Sequence, residues 1–205
     1  FRAAVRLNSG VRRRPYSVAC QRLRPMRQWG MPHPLEAKYG LTAQELLTAI
    51  DRRFRLKVAL EGAVAEVHFE RKLSIASREG WLKSFEDHDV DGMHDFTVVT
   101  RDGTSIKVEV KTVRNGKKPK VELQKTRAAK GDPSSRYYGR NHFDVVAVCM
   151  GRFSGDWSEF RYALVRDLPT HKDHPDKLQV MNSIQDGDES KPRWFSRFQD
   201  LIDAY

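Results

Sequence analysis

The sequence predicts one α/β domain behind a basic arm, and three observations carry that prediction. Residues 42–74 hold two stretches of helical apolar period, and two β-rich runs then flank Asp102-Gly103. Residues 143–150 are nearly all apolar after Asp144, the pattern of a strand buried on both faces. A chain of 205 residues fits a single domain with extensions better than two full domains, and its 39% hydrophobic content suffices for one core.

Residues 1–40 form an arm distinct from the domain expected over 41–205. Its first thirty positions carry Arg2, Arg6, Arg12, Arg13, Arg14, Arg22, Arg24 and Arg27, with no acidic residue before Glu36. Three readings stay open: an organelle transit peptide, a basic arm touching phosphate backbones, or non-native upstream sequence.

Within the domain, Thr42 is the expected N-cap of a first helix, and Glu45 completes a capping box. Leu46, Leu47, Ile50 and Phe54 follow at helical spacing. A second helix is expected over about 57–74, with Leu60, Val64, Val67 and Leu73 as its apolar stripe. Strands are expected at 81–85, 96–99, 106–110, 143–150 and 160–165. The Asp-Gly pair makes the second and third of them a hairpin. Residues 166–192 read as polar loop interrupted by Pro169, Pro175 and Pro192, and a closing helix is expected over 194–202.

The net charge is +10, which attracts polyanions, nucleic acid first among them. Cys20 and Cys149 are the only cysteines and no CxxC pair exists. That argues against a disulfide framework or a thiolate zinc site, and makes a reducing intracellular, cytoplasmic setting the default. No apolar run approaches the roughly 20 residues of a membrane span. There is no Gly-rich phosphate loop and no Gly-x-Ser-x-Gly elbow, which removes NTPase and serine-hydrolase readings.

The hairpin carries the chemistry. Alternation along a strand puts Ile106, Val108 and Val110 on one face and Lys107, Glu109 and Lys111 on the other. Asp95 lies just before the paired strand, so its carboxylate can approach Glu109. Asp89 and Asp91 in the same loop compete with it. Two carboxylates of this kind suit Mg²⁺ or Mn²⁺, a hard cation that takes its other ligands from water and phosphate. An ammonium beside them can stabilise charge developing on a phosphate.

His94-Asp95, followed fourteen positions on by Glu109-Val110-Lys111, resembles the motif of the PD-(D/E)xK nuclease superfamily, with His94 where the signature has Pro. The segment Gly62-Ala63-Val64-Ala65-Glu66 looks like the helix that supplies a further acid in many members, which makes Glu66 the matching position and Glu70 its substitute. The segment from Val121 through Gln124 to Arg127 resembles the stretch in which many relatives place a Gln beside the site. The resemblance spans roughly residues 58–165. It implies a restriction-endonuclease-like core, a mixed sheet of about four to five strands flanked by helices. It also implies a Mg²⁺-dependent endonuclease acting on DNA, of restriction or defence type, with Asp95 and Glu109 as metal ligands and Lys111, Glu66 and Gln124 in the site.

Residues 111–130 carry eight Lys or Arg against the single acid Glu122. Lys117, Lys118, Lys120, Lys125, Arg127 and, further on, Arg136 are candidate contacts to the DNA backbone. Tyr137 and Tyr138 offer stacking surface or core packing. His171 and His174 lack metal-site partners and read as loop residues, whereas His94 adjoins the site. Two alternatives remain: a non-catalytic DNA-binding module, and a structure-specific resolvase or exonuclease. A homodimer would suit symmetric cutting of a duplex.

Overall fold

A computed structural model describes residues 32–125, 128–185 and 192–205. The expectations for residues 1–31 and for Arg127 therefore lie outside the described residues. The chain divides after Leu46 into two compact units.

In the first unit, α1 (Pro34–Tyr39) begins at a capping box. The His33 side chain accepts from the Leu35 amide and the Glu36 carboxylate from the His33 amide. It ends at Gly40, whose φ of 64° is the left-handed conformation that closes a helix. The predicted Thr42–Glu45 box is present. The Thr42 amide donates to Glu45 at 2.8 Å and the Glu45 amide to the Thr42 hydroxyl at 3.2 Å, and α2 (Ala43–Asp51) follows.

The second unit begins at Leu47, within α2, and continues with α3 (Phe54–Arg78), then β1 (Leu82–Asp87), β2 (Phe96–Thr100) and β3 (Ser105–Thr112). After β4 (Lys120–Glu122) come β5 (Val145–Cys149), the short α4 (Gly151–Ser154) and β6 (Phe160–Leu164). The chain finishes with β7 (Thr170–His171), β8 (His174–Leu178), β9 (Met181–Ser183) and α5 (Phe198–Asp203). Five strands form one sheet in the order β1-β2-β3-β5-β6. Only β3 and β5 run parallel; the other pairs are antiparallel. The molecule is a mixed α/β fold with helices against its sheet.

The two sheet faces are covered differently. On one, Phe69, Leu73 and Ala76 of α3 and Leu201 of α5 pack with Val98, Ile106, Val108 and Val110. Phe69 is the hub, with ring centroids of Phe96, Phe198, Phe160 and Tyr162 at 5.3, 5.5, 5.8 and 6.3 Å. On the other face, Val146 and Val148 pack with Val121, Leu123, Phe143 and Leu178 from short strands and loops. All five residues of β5 are buried, sent alternately to the two clusters, as the run of apolar residues predicts.

Three expectations need correcting. The apolar stripe of α3 is Ala65, Phe69, Leu73 and Ala76; Leu60 and Val67 are exposed. Small alanines bring the helix backbone close to the sheet and leave room for one large ring. Polar residues 166–192 include three short strands, since β7 pairs with β8 and β9 with β4. The last helix starts only at Phe198, because the amide and carbonyl of Phe195 pair in extended form with those of Tyr162.

Candidate active site

The turn between β2 and β3 is built as its sequence suggests. Gly103 takes a φ of 94°, open to glycine and costly to other residues. The Asp102 carboxylate accepts from the Thr100 hydroxyl and from the Thr104 amide. Register follows from this turn. Phe96 sits opposite Val108, so Asp95, one step beyond, comes beside Glu109. The Val110 amide donates to Asp95 Oδ2 at 2.7 Å and fixes the carboxylate there.

Glu109 is only 3% exposed. Its Oε1 accepts from Lys111 Nζ at 2.5 Å and from the Tyr138 hydroxyl at 2.6 Å. Its Oε2 is enclosed and has no hydrogen-bond partner among the described residues. A buried carboxylate oxygen left unpaired costs about 1–3 kcal/mol or more, so the arrangement favours a ligand with positive charge at that oxygen. Burial acts to lower the Lys111 pKa, but the Glu109 carboxylate first, then Tyr138 and Asp95, outweigh it and keep the ammonium above its ordinary range.

Asp95 shows the opposite balance. Burial, and then the negative charge of Glu109, push its carboxyl up to about 7 despite Lys111 and the Val110 amide. Glu66 of α3 is also raised, first by burial, with Lys111 opposing and Asp87 and Glu109 adding to it. Three carboxylates thus share one electrostatic neighbourhood holding a single close ammonium. The donor set fits a divalent cation: two adjacent carboxylates, one with an unpartnered oxygen. No group of three or more His, Cys, Asp or Glu residues among the described residues is arranged to hold a metal ion. A hard cation on Asp95 and Glu109 would complete its shell with water and phosphate oxygens.

The carboxylates open into a cleft of about 1100 Å³, which Glu66, Asp95, Glu109, Lys125, Tyr138 and His142 help to line and Lys111 does not. Asp89 and Asp91 also line it. Asp95 rather than Asp91 neighbours Glu109 in the strand register. Gln124 is placed elsewhere than the resemblance implies. Its amide donates to Glu122, which also pairs with Arg114, and it does not line the cleft. Lys117, Lys118 and Lys120 are exposed and outside the cleft. Arg136 is half-buried, its Nε donating to the Lys125 carbonyl at 3.1 Å. His94 is buried, with Nε2 2.8 Å from the Thr97 hydroxyl, and His88 Nε2 lies at the same distance from that oxygen. His171 stacks on Tyr137 at 4.5 Å between centroids.

The sequence offered Tyr138 as stacking surface or core packing, with no sign that its hydroxyl meets Glu109. It lies 29 positions from Glu109 in the chain, and a Tyr-Tyr pair gives no sign of which ring turns inward. His142 in the cleft wall carried no signal either.

No helix among the described residues is long and apolar enough to cross a membrane. No protein-family model matches the chain, and no curated protein matches it. Among solved structures, the bacterial homing endonuclease I-Ssp6803I is similar at 17% identity and a TM-score of 0.42, over 65% of this chain and 81% of that one.

Proposed function

We propose that this chain is a divalent-cation-dependent nuclease that hydrolyses phosphodiester bonds in DNA, and that Asp95, Glu109 and Lys111 form its active site. The observation that carries the reading is the buried, unpartnered Glu109 Oε2 beside Asp95, with Lys111 bound to the other oxygen of the same carboxylate. Asp95 and Glu109 hold Mg²⁺ or Mn²⁺, which when bound polarises the scissile phosphate and lowers the pKa of an attacking water. Lys111 stays protonated and stabilises negative charge developing on the phosphate. Glu66 adds negative charge at the cleft wall. Lys125, in the same cleft, meets the phosphate backbone, and exposed Lys117, Lys118 and Lys120 extend that basic surface.

The order Glu66, Asp95, Glu109-x-Lys111 supports placing the chain with restriction-endonuclease-like enzymes of the PD-(D/E)xK type. Gln124 supports that placement less, since its amide is engaged by Glu122. Plasmid DNA incubated with the protein tests the reading. Wild type should cut only when Mg²⁺ is added, and Asp95→Ala and Lys111→Ala should each lose at least a hundredfold in rate. Cleavage by the variants at the wild-type rate refutes it. Binding to DNA without cleavage or metal affinity would favour a non-catalytic module instead. Linear, circular and branched substrates side by side separate endonuclease from exonuclease and resolvase.

A further inference from the structure

Resting on the nuclease reading, we infer that Tyr138 is a positioning residue: its hydroxyl anchors one oxygen of Glu109 so that the other is presented to the cation. The two oxygens of that carboxylate are treated unequally. Oε1 receives Tyr138 OH at 2.6 Å and Lys111 Nζ at 2.5 Å, while Oε2 receives no donor among the described residues. A glutamate side chain has three rotatable bonds and does not hold such a choice unaided. Two donors on one oxygen fix the rotation of the carboxylate.

Tyr138 is itself held firmly enough to do this. It is 5% exposed, and its carbonyl accepts from the Leu178 amide at 2.9 Å. Its neighbours Tyr137 and Gly139 bridge to Gln124 and Lys177, so the backbone is pinned on both sides. The ring meets Phe143 edge-on at 5.1 Å and His142 at 5.1 Å. Lys111 Nζ lies 5.3 Å and Lys125 Nζ 6.0 Å from the ring centroid. Such distances suit cation–π attraction, so the ring helps to orient two ammoniums while the hydroxyl orients the carboxylate. Both roles act through other residues. Partners that orient metal ligands are commonly worth 10–100-fold in metal affinity.

Tyr138→Phe keeps the ring and removes only the hydroxyl. The test is Mn²⁺ titration of the full chain by calorimetry without DNA, alongside the thermal midpoint of the metal-free protein. Tyr138→Phe should weaken Mn²⁺ binding about ten- to hundredfold with little change in the midpoint. The Mg²⁺ needed for half-maximal cleavage should rise by a similar factor, with the rate at saturating Mg²⁺ much less affected. Tyr138→Met, which removes the hydroxyl in another way, should weaken Mn²⁺ binding at least as much. A lowered midpoint with wild-type Mn²⁺ affinity overturns the inference and leaves Tyr138 structural. In that case loss of Mn²⁺ binding in Glu109→Gln leaves the nuclease reading standing. Absence of Mn²⁺ binding by the wild type overturns both.

Discussion

Asp95 and Lys111 flank the same carboxylate, yet their charges stand in opposite balance with the fold. Lys111 compensates Glu109, which is 3% exposed. Removing one partner of such a pair leaves a buried charge alone and costs about 3–5 kcal/mol. Lys111→Ala should therefore destabilise the metal-free protein by an amount of that order, trimmed because Lys111 itself is partly accessible. Asp95 is different. Its carboxyl is raised from 3.8 to about 7, chiefly by burial and then by Glu109. Its ionisation is a destabilising penalty that is absent below the unfolded pKa of 3.8 and complete above the folded value of about 7. Asn can still accept from the Val110 amide, so at pH 8 Asp95→Asn should leave stability unchanged or raise it. Urea unfolding in a chelator measures both. If Asp95→Asn proves as destabilising as Lys111→Ala, this view of the site's charges is wrong. The legible part of the site follows the same division. Within the candidate site, Asp95, Glu109 and Lys111 could be singled out by alternation and turn position, which are local. Tyr138 and His142 did not, because their proximity arises from a return of the chain that no local period encodes.

At the scale of elements, the hairpin and the buried strand were readable because each has a strong local signal. Asp102-Gly103 specifies the turn, and the turn sets the register that brings Asp95 to Glu109. The β5 run is apolar throughout because β3 and β6 flank it and both its faces are covered. Helix α3 was readable as a helix, but its inward face was not. Counting only large apolar residues favours Leu60 and Val67, whereas the sheet accepts Ala65 and Ala76 beside one large ring. The strands β7, β8 and β9 are two to five residues long and mostly polar, so no alternation marks them. Phe69 joins α3 to β2, β6 and α5 through four aromatic contacts. Phe69→Ala should therefore cost about 3–5 kcal/mol, read as a lower urea midpoint. A loss below about 0.5 kcal/mol, the scale of an ordinary surface change, would show that the helix is not held through this ring.

For the whole molecule, the sheet acts as a partition. Its helix-covered face supplies a rigid support through Phe69 and its neighbours, and its other face carries Glu109 and Lys111 among short strands and loops. Glu66 reaches the cleft from α3, Asp95 from the start of β2, and Tyr138 from the loop before β5. The centre of that cleft is acidic, with Glu66, Asp95 and Glu109 all lining it. The proposed divalent cation would give a phosphate something to bind between those carboxylates. Diffraction from crystals soaked in Mn²⁺, read at the metal's anomalous signal, tests that claim most directly. One peak is expected at about 2.0–2.2 Å from Glu109 Oε2 and from an Asp95 oxygen, with Lys111 still on Oε1. A cleft without a peak, or Glu109 Oε2 bound instead by a donor of the protein, would contradict it.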